Sequence, residues 1–180
     1  LRRQRQMCIR DSENLLDASR LQAGGISLNQ CDLAFGQFAE KIAARFRTQS
    51  DKHTILVDFP PEFPVVVADE DRLGQVLSNL LSNAIKYSPD GGEILVTGQV
   101  RPEQIVICVR DQGPGIAAGD IPHIFDRFYR ADSASRTTKG AGLGLYLTRA
   151  IIEAHGGKIE VTSKLGEGTS FRVLLPAVAG

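Results

Sequence analysis

The chain has 180 residues, 42% of them hydrophobic, and its 21 basic and 21 acidic side chains cancel at neutral pH. That is enough chain for one full domain with a short extension, and it is apolar enough for a packed core. A neutral balance gives no electrostatic case for nucleic acid or an anionic membrane surface, and no apolar run approaches the roughly 20 residues a membrane helix needs.

The basic start, residues 1–6, is followed by no apolar stretch of the kind a secretory signal carries. Cys8, Cys31 and Cys108 form no CxxC pair, so neither a disulfide framework nor a zinc site is indicated, and a reducing, cytoplasmic setting is expected. Residues 1–11 are polar, weakly patterned and expected to be poorly ordered. Residues 14–22 put Leu15, Ala18 and Leu21 on one helical face and stop at Gly24-Gly25. They read as the last turns of a helix that belongs to a preceding unit. The domain proper is expected over residues 26–180.

A short strand is expected over 26–32. An amphipathic helix follows over 33–47, with Phe35, Phe38, Ala39, Ile42 and Phe46 as its buried stripe. Residues 54–59 alternate like a strand that ends at Pro60-Pro61, and 65–67 form another short apolar run. Asp69, Glu70 and Asp71 then open a helix at its positive end, and Leu73, Val76, Leu77, Leu80, Leu81 and Ala84 recur at three- and four-residue steps. The turn residues of 88–92 stop it. Strands over 93–100 and 104–111 form a hairpin. A helix over 142–155 is closed by Gly156-Gly157, and a second hairpin joins 158–163 to 170–175. Blocks of helices and antiparallel hairpins indicate an α+β fold, a sheet with helices on one face. Residues 130–141 are small and polar, and a loop of that length is often functional.

Three places carry chemistry. On the helix that begins at Asp69, Asn79, Asn83 and Lys86 fall within roughly 60° of one another at 100° per residue. Two amides and an ammonium suit a metal–polyphosphate ligand, and a solvated helix face has the same look. Asp111-Gln112-Gly113-Pro114-Gly115-Ile116 ends an apolar strand. Its carboxylate can accept from an exocyclic amine and its glycines allow a flat ring close approach, although a plain turn would read alike. Gly140-Ala141-Gly142-Leu143-Gly144-Leu145 opens a helix whose N–H groups form an anion site. No strand precedes that loop, so a dinucleotide fingerprint is excluded, and no GxxxxGK[ST] occurs.

Taken in order, NLLSNAIKYSPDGG (79–92), DQGPGI (111–116), IFDRFYR (124–130), GAGLGL (140–145) and GEGTSF (166–171) resemble the N, G1, F, G2 and final glycine boxes of sensor histidine kinases. The resemblance covers roughly residues 28–176. SRLQAGG (19–25) is similar to the end of the dimerisation-helix hairpin, which makes 1–25 its remnant and linker. The resemblance implies a two-layer α/β sandwich of the Bergerat type with a mixed sheet. It implies ATP and Mg²⁺, with Asn83 on the metal, Asn79 beside it, Lys86 on phosphate and Tyr87 flanking adenine. Asp111 would bond the adenine amine in a pocket shaped by Gly113, Gly115 and Ile116, with Thr169 lining it. Gly140, Gly142, Leu143, Gly144 and Leu145 would hinge and cradle the triphosphate under a lid of residues 130–141. Arg127 and Arg130 would steady the transferred phosphate or meet the dimerisation helices. Phe125 and Phe128 either dock near those helices or are plain core.

In gyrase-type relatives of this family a glutamate stands four residues before the metal-binding Asn and activates water. Here Asn79 holds that position, which argues for phosphoryl transfer over hydrolysis. No box like HELRTP is present, so the acceptor histidine is expected upstream of Leu1. His53, His123 and His155 are expected to be structural or solvated, with a partly cationic ring at His155 favoured by the helix dipole. The implied partners are the histidine-bearing dimerisation domain and a response regulator, with the chain as the cytosolic portion of a membrane-anchored bacterial kinase. A serine kinase of the anti-sigma type and a degenerate partner-binding domain are the competing readings.

Overall fold

A computed structural model describes residues 16–19, 25–130 and 141–177. Residues 1–11, expected to be poorly ordered, and most of the loop expected over 130–141 lie outside the described residues. Ahead of the fold, residues 16–19 are helical. Among the described residues seven strands and three α-helices follow: β1 (Cys31–Leu33), α1 (Phe35–Arg47), β2 (His53–Asp58), β3 (Val66–Ala68), α2 (Glu70–Tyr87), β4 (Gly92–Arg101), β5 (Gln104–Asp111), α3 (Gly144–Ala154), β6 (Lys158–Lys164) and β7 (Gly168–Pro176), with a 3₁₀ turn at Ile121–His123. The main sheet runs β2-β4-β5-β7-β6, and β1 pairs with β3 in a separate ribbon. Only β2 against β4 is parallel in the main sheet, so the sheet is mixed.

The register explains where the core lies. Directly paired residues point to the same side of a sheet. One cross-sheet row is Val57, Val96, Val109, Phe171 and Val161, all apolar and facing the helices. The stripe of α2 (Leu73, Val76, Leu77, Leu80, Leu81) is buried in the same cluster as Phe35, Phe38, Ile42 and Phe46 of α1. The next row toward the sheet's end is Ile55, Ile94, Asp111, Thr169 and Ser163. The apolar core therefore gives way, within one row, to a polar edge beneath the helices.

Two expectations are corrected. The strand expected over 26–32 is confined to Cys31–Leu33, because its partner β3 offers only three residues to pair with. The Asn29 N–H donates instead to the Asp69 carboxylate at 2.8 Å. His155 is not a cationic helix end. It is buried, and its Nε2 accepts the Asp69 N–H at 3.1 Å while Nδ1 faces the Ile151 carbonyl at 2.8 Å. A ring nitrogen that accepts carries no proton, so the hydrogen sits on Nδ1 and donates to Ile151. Asp69 in turn caps α2 by accepting from the Arg72 N–H at 3.0 Å. Burial works against its ionisation, but the N–H groups of Arg72 and Asn29 and the Arg72 charge outweigh it and hold the carboxyl below its usual range.

Candidate functional site

The polar edge row is the floor of the site. Asp111 ends β5 and is 7% exposed, and its Oδ1 accepts from the N–H of Gly113 at 2.9 Å and of Thr169 at 3.3 Å. Both bonds use one oxygen, which leaves Oδ2 to other donors. Burial pushes the Asp111 carboxyl up, against the pull of those two N–H groups. Beside it, a Cβ on Gly113 would fall 2.7 Å from Ser88 Oγ and 3.0 Å from Asp111 Oδ1, so only glycine fits between the two oxygens. Ser88 Oγ is buried with no hydrogen-bond partner among the described residues, an orphan that a ligand or a water must satisfy.

Ser163 holds the far wall. Its hydroxyl accepts from the Ile116 N–H at 2.8 Å, donates to the Gly168 carbonyl at 2.8 Å and lies 2.9 Å from Thr169 Oγ1. The loop after Asp111 is thereby tied to the β6–β7 turn, as it is again by the Gly166 N–H on the Pro114 carbonyl at 2.8 Å. Gly115 has φ +76° and a Cβ there would collide with the Lys164 carbonyl. At the other side, His53 Nε2 lies 2.8 Å from the Ser88 carbonyl and its Nδ1 lies 2.7 Å from Ser50 Oγ, which braces the end of α2.

The roof is the seam between α2 and α3. Asn79 Nδ2 donates to Thr148 Oγ1 at 2.9 Å, and a Cβ on Gly144 would strike the Asn79 side chain. Asn79, Asn83, Lys86 and Tyr87 are all half-buried on or near one stripe of α2, with Lys86 Nζ 5.0 Å from the centre of the Tyr87 ring. α3 begins at Gly144 with Leu143 buried at its cap position and, among the described residues, no side chain capping its first N–H groups. Those groups, at a positive helix end, are open to an anion. Leu145 packs against the main core. Gly142 has φ +69° and its carbonyl accepts the Phe128 N–H at 3.0 Å. Gly140 lies outside the described residues.

The segment ahead of α3 divides. Phe125 is core, meeting Phe171 edge-on at 6.3 Å, whereas Phe128 is 54% exposed and held at φ +64°. Arg127 lies over the Phe128 ring at 4.7 Å with its Nε buried and unpartnered among the described residues, and Arg130 is half-buried nearby in sequence. Among the described residues no cluster of three His, Cys, Asp or Glu side chains could hold a metal. A cation at this seam would take amide oxygens and ligand oxygens, the donor set magnesium accepts. Sequence reasoning missed Ser88, Ser163 and Gly168. For Ser163, counting the register of the second hairpin would have set it opposite Thr169.

Comparison with known proteins gives the family. Residues 68–179 match the model of the "histidine kinase-, DNA gyrase B-, and HSP90-like ATPase" family. The chain is 38% identical over 164 residues to the sensor protein SrrB of Staphylococcus aureus (strain MRSA252), an alignment covering 90% of this chain and 28% of that protein. It thus spans about a quarter of the length of the curated relatives it matches. Among solved structures, full-length ShkA in complex with AMPPNP superposes with a TM-score of 0.83 at 29% identity, covering 93% of this chain and 35% of ShkA. The histidine kinase AdeS of Acinetobacter baumannii gives 0.75 at 28% identity, covering 93% of this chain and 77% of that one. The chain belongs to the histidine kinase-, DNA gyrase B- and HSP90-like ATPase family and, within it, to the ATP-binding catalytic domains of sensor histidine kinases. No helix among the described residues is long and apolar enough to cross a membrane.

Proposed function

We propose that this domain binds Mg·ATP in the cleft between the Asp111 edge and the α2–α3 seam, and presents its γ-phosphate to a histidine on a dimerisation domain. The observation that carries the reading is the Asp111 carboxylate, held through Oδ1 by two backbone N–H groups with Oδ2 unclaimed among the described residues, beside a glycine that admits no side chain. Adenine's amine would donate to Asp111, and the buried hydroxyl of Ser88 supplies a further polar group at the same wall. That ShkA was solved with AMPPNP supports an adenine nucleotide.

Gly113, Gly115, Ile116 and Thr169 would shape the base pocket and Tyr87 would flank it. The uncapped first turn of α3, with Gly142, Leu143, Gly144 and Leu145, would receive the phosphates, and Lys86 would meet them as a point charge. Magnesium would be held through Asn83 and the phosphates, with Asn79 adjoining. When bound, it supplies neutralisation of the charge that develops on the transferred group. Asn79 spends its amide nitrogen on Thr148 and has no proton-accepting capacity, so it positions α3 and leaves water without a base at this position. Arg127 and Arg130 would steady the phosphate in transfer or meet the acceptor helices.

Residues 1–25 would be the end of the dimerisation hairpin and its linker. The intact protein would then be a membrane-anchored sensor kinase with this domain on the cytoplasmic side, passing phosphate to an aspartate of a response regulator. The test is titration with trinitrophenyl-ATP, with and without Mg²⁺, followed by competition with ATP and GTP. Displacement by ATP and not GTP is expected, and acid-labile ³²P transfer from γ-labelled ATP to an added histidine-bearing helix hairpin should follow. A folded chain that binds no analogue would overturn the reading.

A further inference from the structure

β2 begins at His53, and its parallel pairing sets His53 opposite Gly92, at the end of the turn that follows α2. The ring is half-buried between two partners. Its Nε2 lies 2.8 Å from the Ser88 carbonyl and its Nδ1 lies 2.7 Å from Ser50 Oγ. A carbonyl oxygen only accepts, so Nε2 carries a hydrogen and donates it. In the neutral ring Nδ1 then accepts from the Ser50 hydroxyl, which holds the ring in that tautomer. The neighbouring residue grips the same turn. The Lys52 carbonyl accepts the Gly92 N–H at 3.1 Å, and Lys52 Nζ donates to the Pro89 carbonyl at 3.3 Å.

Ser88 is where this grip meets the base pocket. α2 stops there, because a residue that precedes proline is steered away from helical backbone, and Ser88 has φ −119° and ψ 66°. Its carbonyl takes two donors, the Gly91 N–H at 2.9 Å and the His53 ring. Its hydroxyl goes the other way. Ser88 Oγ, buried and without a partner among the described residues, lies 2.7 Å from the point where a Gly113 Cβ would stand, and Asp111 Oδ1 lies 3.0 Å from that same point. The turn over 88–92 is thus held between His53 and Lys52 on one side and the loop after Asp111 on the other, where Gln112 Oε1 accepts the Glu93 N–H at 3.1 Å. With the carbonyl fixed, the Ser88 backbone keeps its place and the hydroxyl stays at the pocket wall.

We propose that His53 is a positioning residue for the nucleotide. It stands behind the wall and touches no ligand, and through the Ser88 carbonyl it keeps the Ser88 hydroxyl where the edge of a purine is received. That hydroxyl has a hydrogen bond to offer a flat ring with polar groups on its rim. Without the His53 donor the turn relaxes away from Gly113, and part of the binding energy goes to re-forming the wall. The effect falls on the base end of the site and leaves the Asn79–Thr148 seam as it is. The inference rests on the Mg·ATP reading.

The test is competition of ATP against trinitrophenyl-ATP with Mg²⁺ present, with thermal melts to show which variants are folded. His53→Ala and His53→Phe, the second keeping a ring without the N–H, should each weaken ATP about fivefold, the worth of one hydrogen bond, and either one that folds carries the result. His53→Gln, whose amide N–H can reach the Ser88 carbonyl, should recover most of that loss, a rescue that general loosening of the fold would not give. Ser88→Ala should weaken ATP to a similar degree. His53→Ala combined with Ser88→Ala should lose little more than Ser88→Ala alone, since the two act in series. Wild-type affinity in a folded His53→Ala or His53→Phe would overturn the proposal, as would a glutamine variant no better than alanine or a double variant whose loss is the sum of the singles. A folded wild-type chain that binds no analogue would remove the Mg·ATP reading itself, and this inference with it; that failure is distinguishable because the unmodified protein is silent.

Discussion

Asn79 and Thr148 join α2 to α3 through a 2.9 Å hydrogen bond from the Asn79 amide nitrogen to the threonine Oγ1. Thr148 is 1% exposed, so its loss cannot be made good by bulk water. Thr148→Val is expected to cost about 1–3 kcal/mol of stability, because it leaves a half-buried amide without its partner. Urea unfolding measures this, and nucleotide affinity should fall in the same variant.

Asp111→Asn should keep the fold and lose the ligand. Its folded pKa is raised, so its ionised form costs stability at neutral pH, and stability from this group grows as pH falls. Removing the charge therefore does not threaten folding. Ligand binding runs the opposite way, since adenine's amine needs an unprotonated acceptor. Wild-type affinity for ATP should drop on acidification, starting above the ordinary Asp value of about 3.9. Competition titrations from pH 8 downward should show that fall in the wild type and a weak, flat profile in the variant.

Asp69→Ala should lower stability by about 1–2 kcal/mol at neutral pH through loss of the α2 cap. The Asn29 N–H loses its acceptor as well. The folded pKa is depressed, so the contribution of the ionised group is complete above the unfolded value and is lost as pH falls through the folded one. Thermal melts as a function of pH should show wild type and variant converging only in the acid range below about pH 3.9.

Gly168 and Gly166 give a matched comparison in one turn. Both have positive φ, but a Cβ on Gly168 would collide with the Asp111 carbonyl, whereas one on Gly166 meets nothing within 4 Å. Gly166→Ala should cost about 1–2 kcal/mol of backbone strain. Gly168→Ala should cost clearly more and also weaken nucleotide binding, because the collision displaces the Asp111 backbone. Chemical denaturation of the two variants separates the effects.

Much of this was legible in the sequence where the determinants are local. The α2 stripe, its acidic start and its stop at the turn after Tyr87 all follow from spacing and capping, and the glycine boxes gave the order of the site. What is set by partners distant in the chain was not legible. The parallel pairing of β2 with β4 leaves no mark on either strand's alternation. The strand expected over 26–32 failed because its N–H donor found a carboxylate 40 residues away. His155 does end α3, as the following Gly156-Gly157 indicated, but its ring's acceptance of the Asp69 N–H was not legible because that donor lies 86 residues before it. Ser88 and Ser163 are ordinary turn and strand residues until the fold brings them against Gly113 and Ile116.

Asp111 and the α2–α3 seam together are proposed to bind adenine nucleotide. Calorimetric titration of Mg·ATP into the wild-type chain and into Asp111→Asn, with the fold of both checked by circular dichroism, tests it most directly. Saturable one-site binding by the wild type that is lost in the variant is the predicted result. Equal affinity in the two chains, or no heat from a folded wild type, would contradict it.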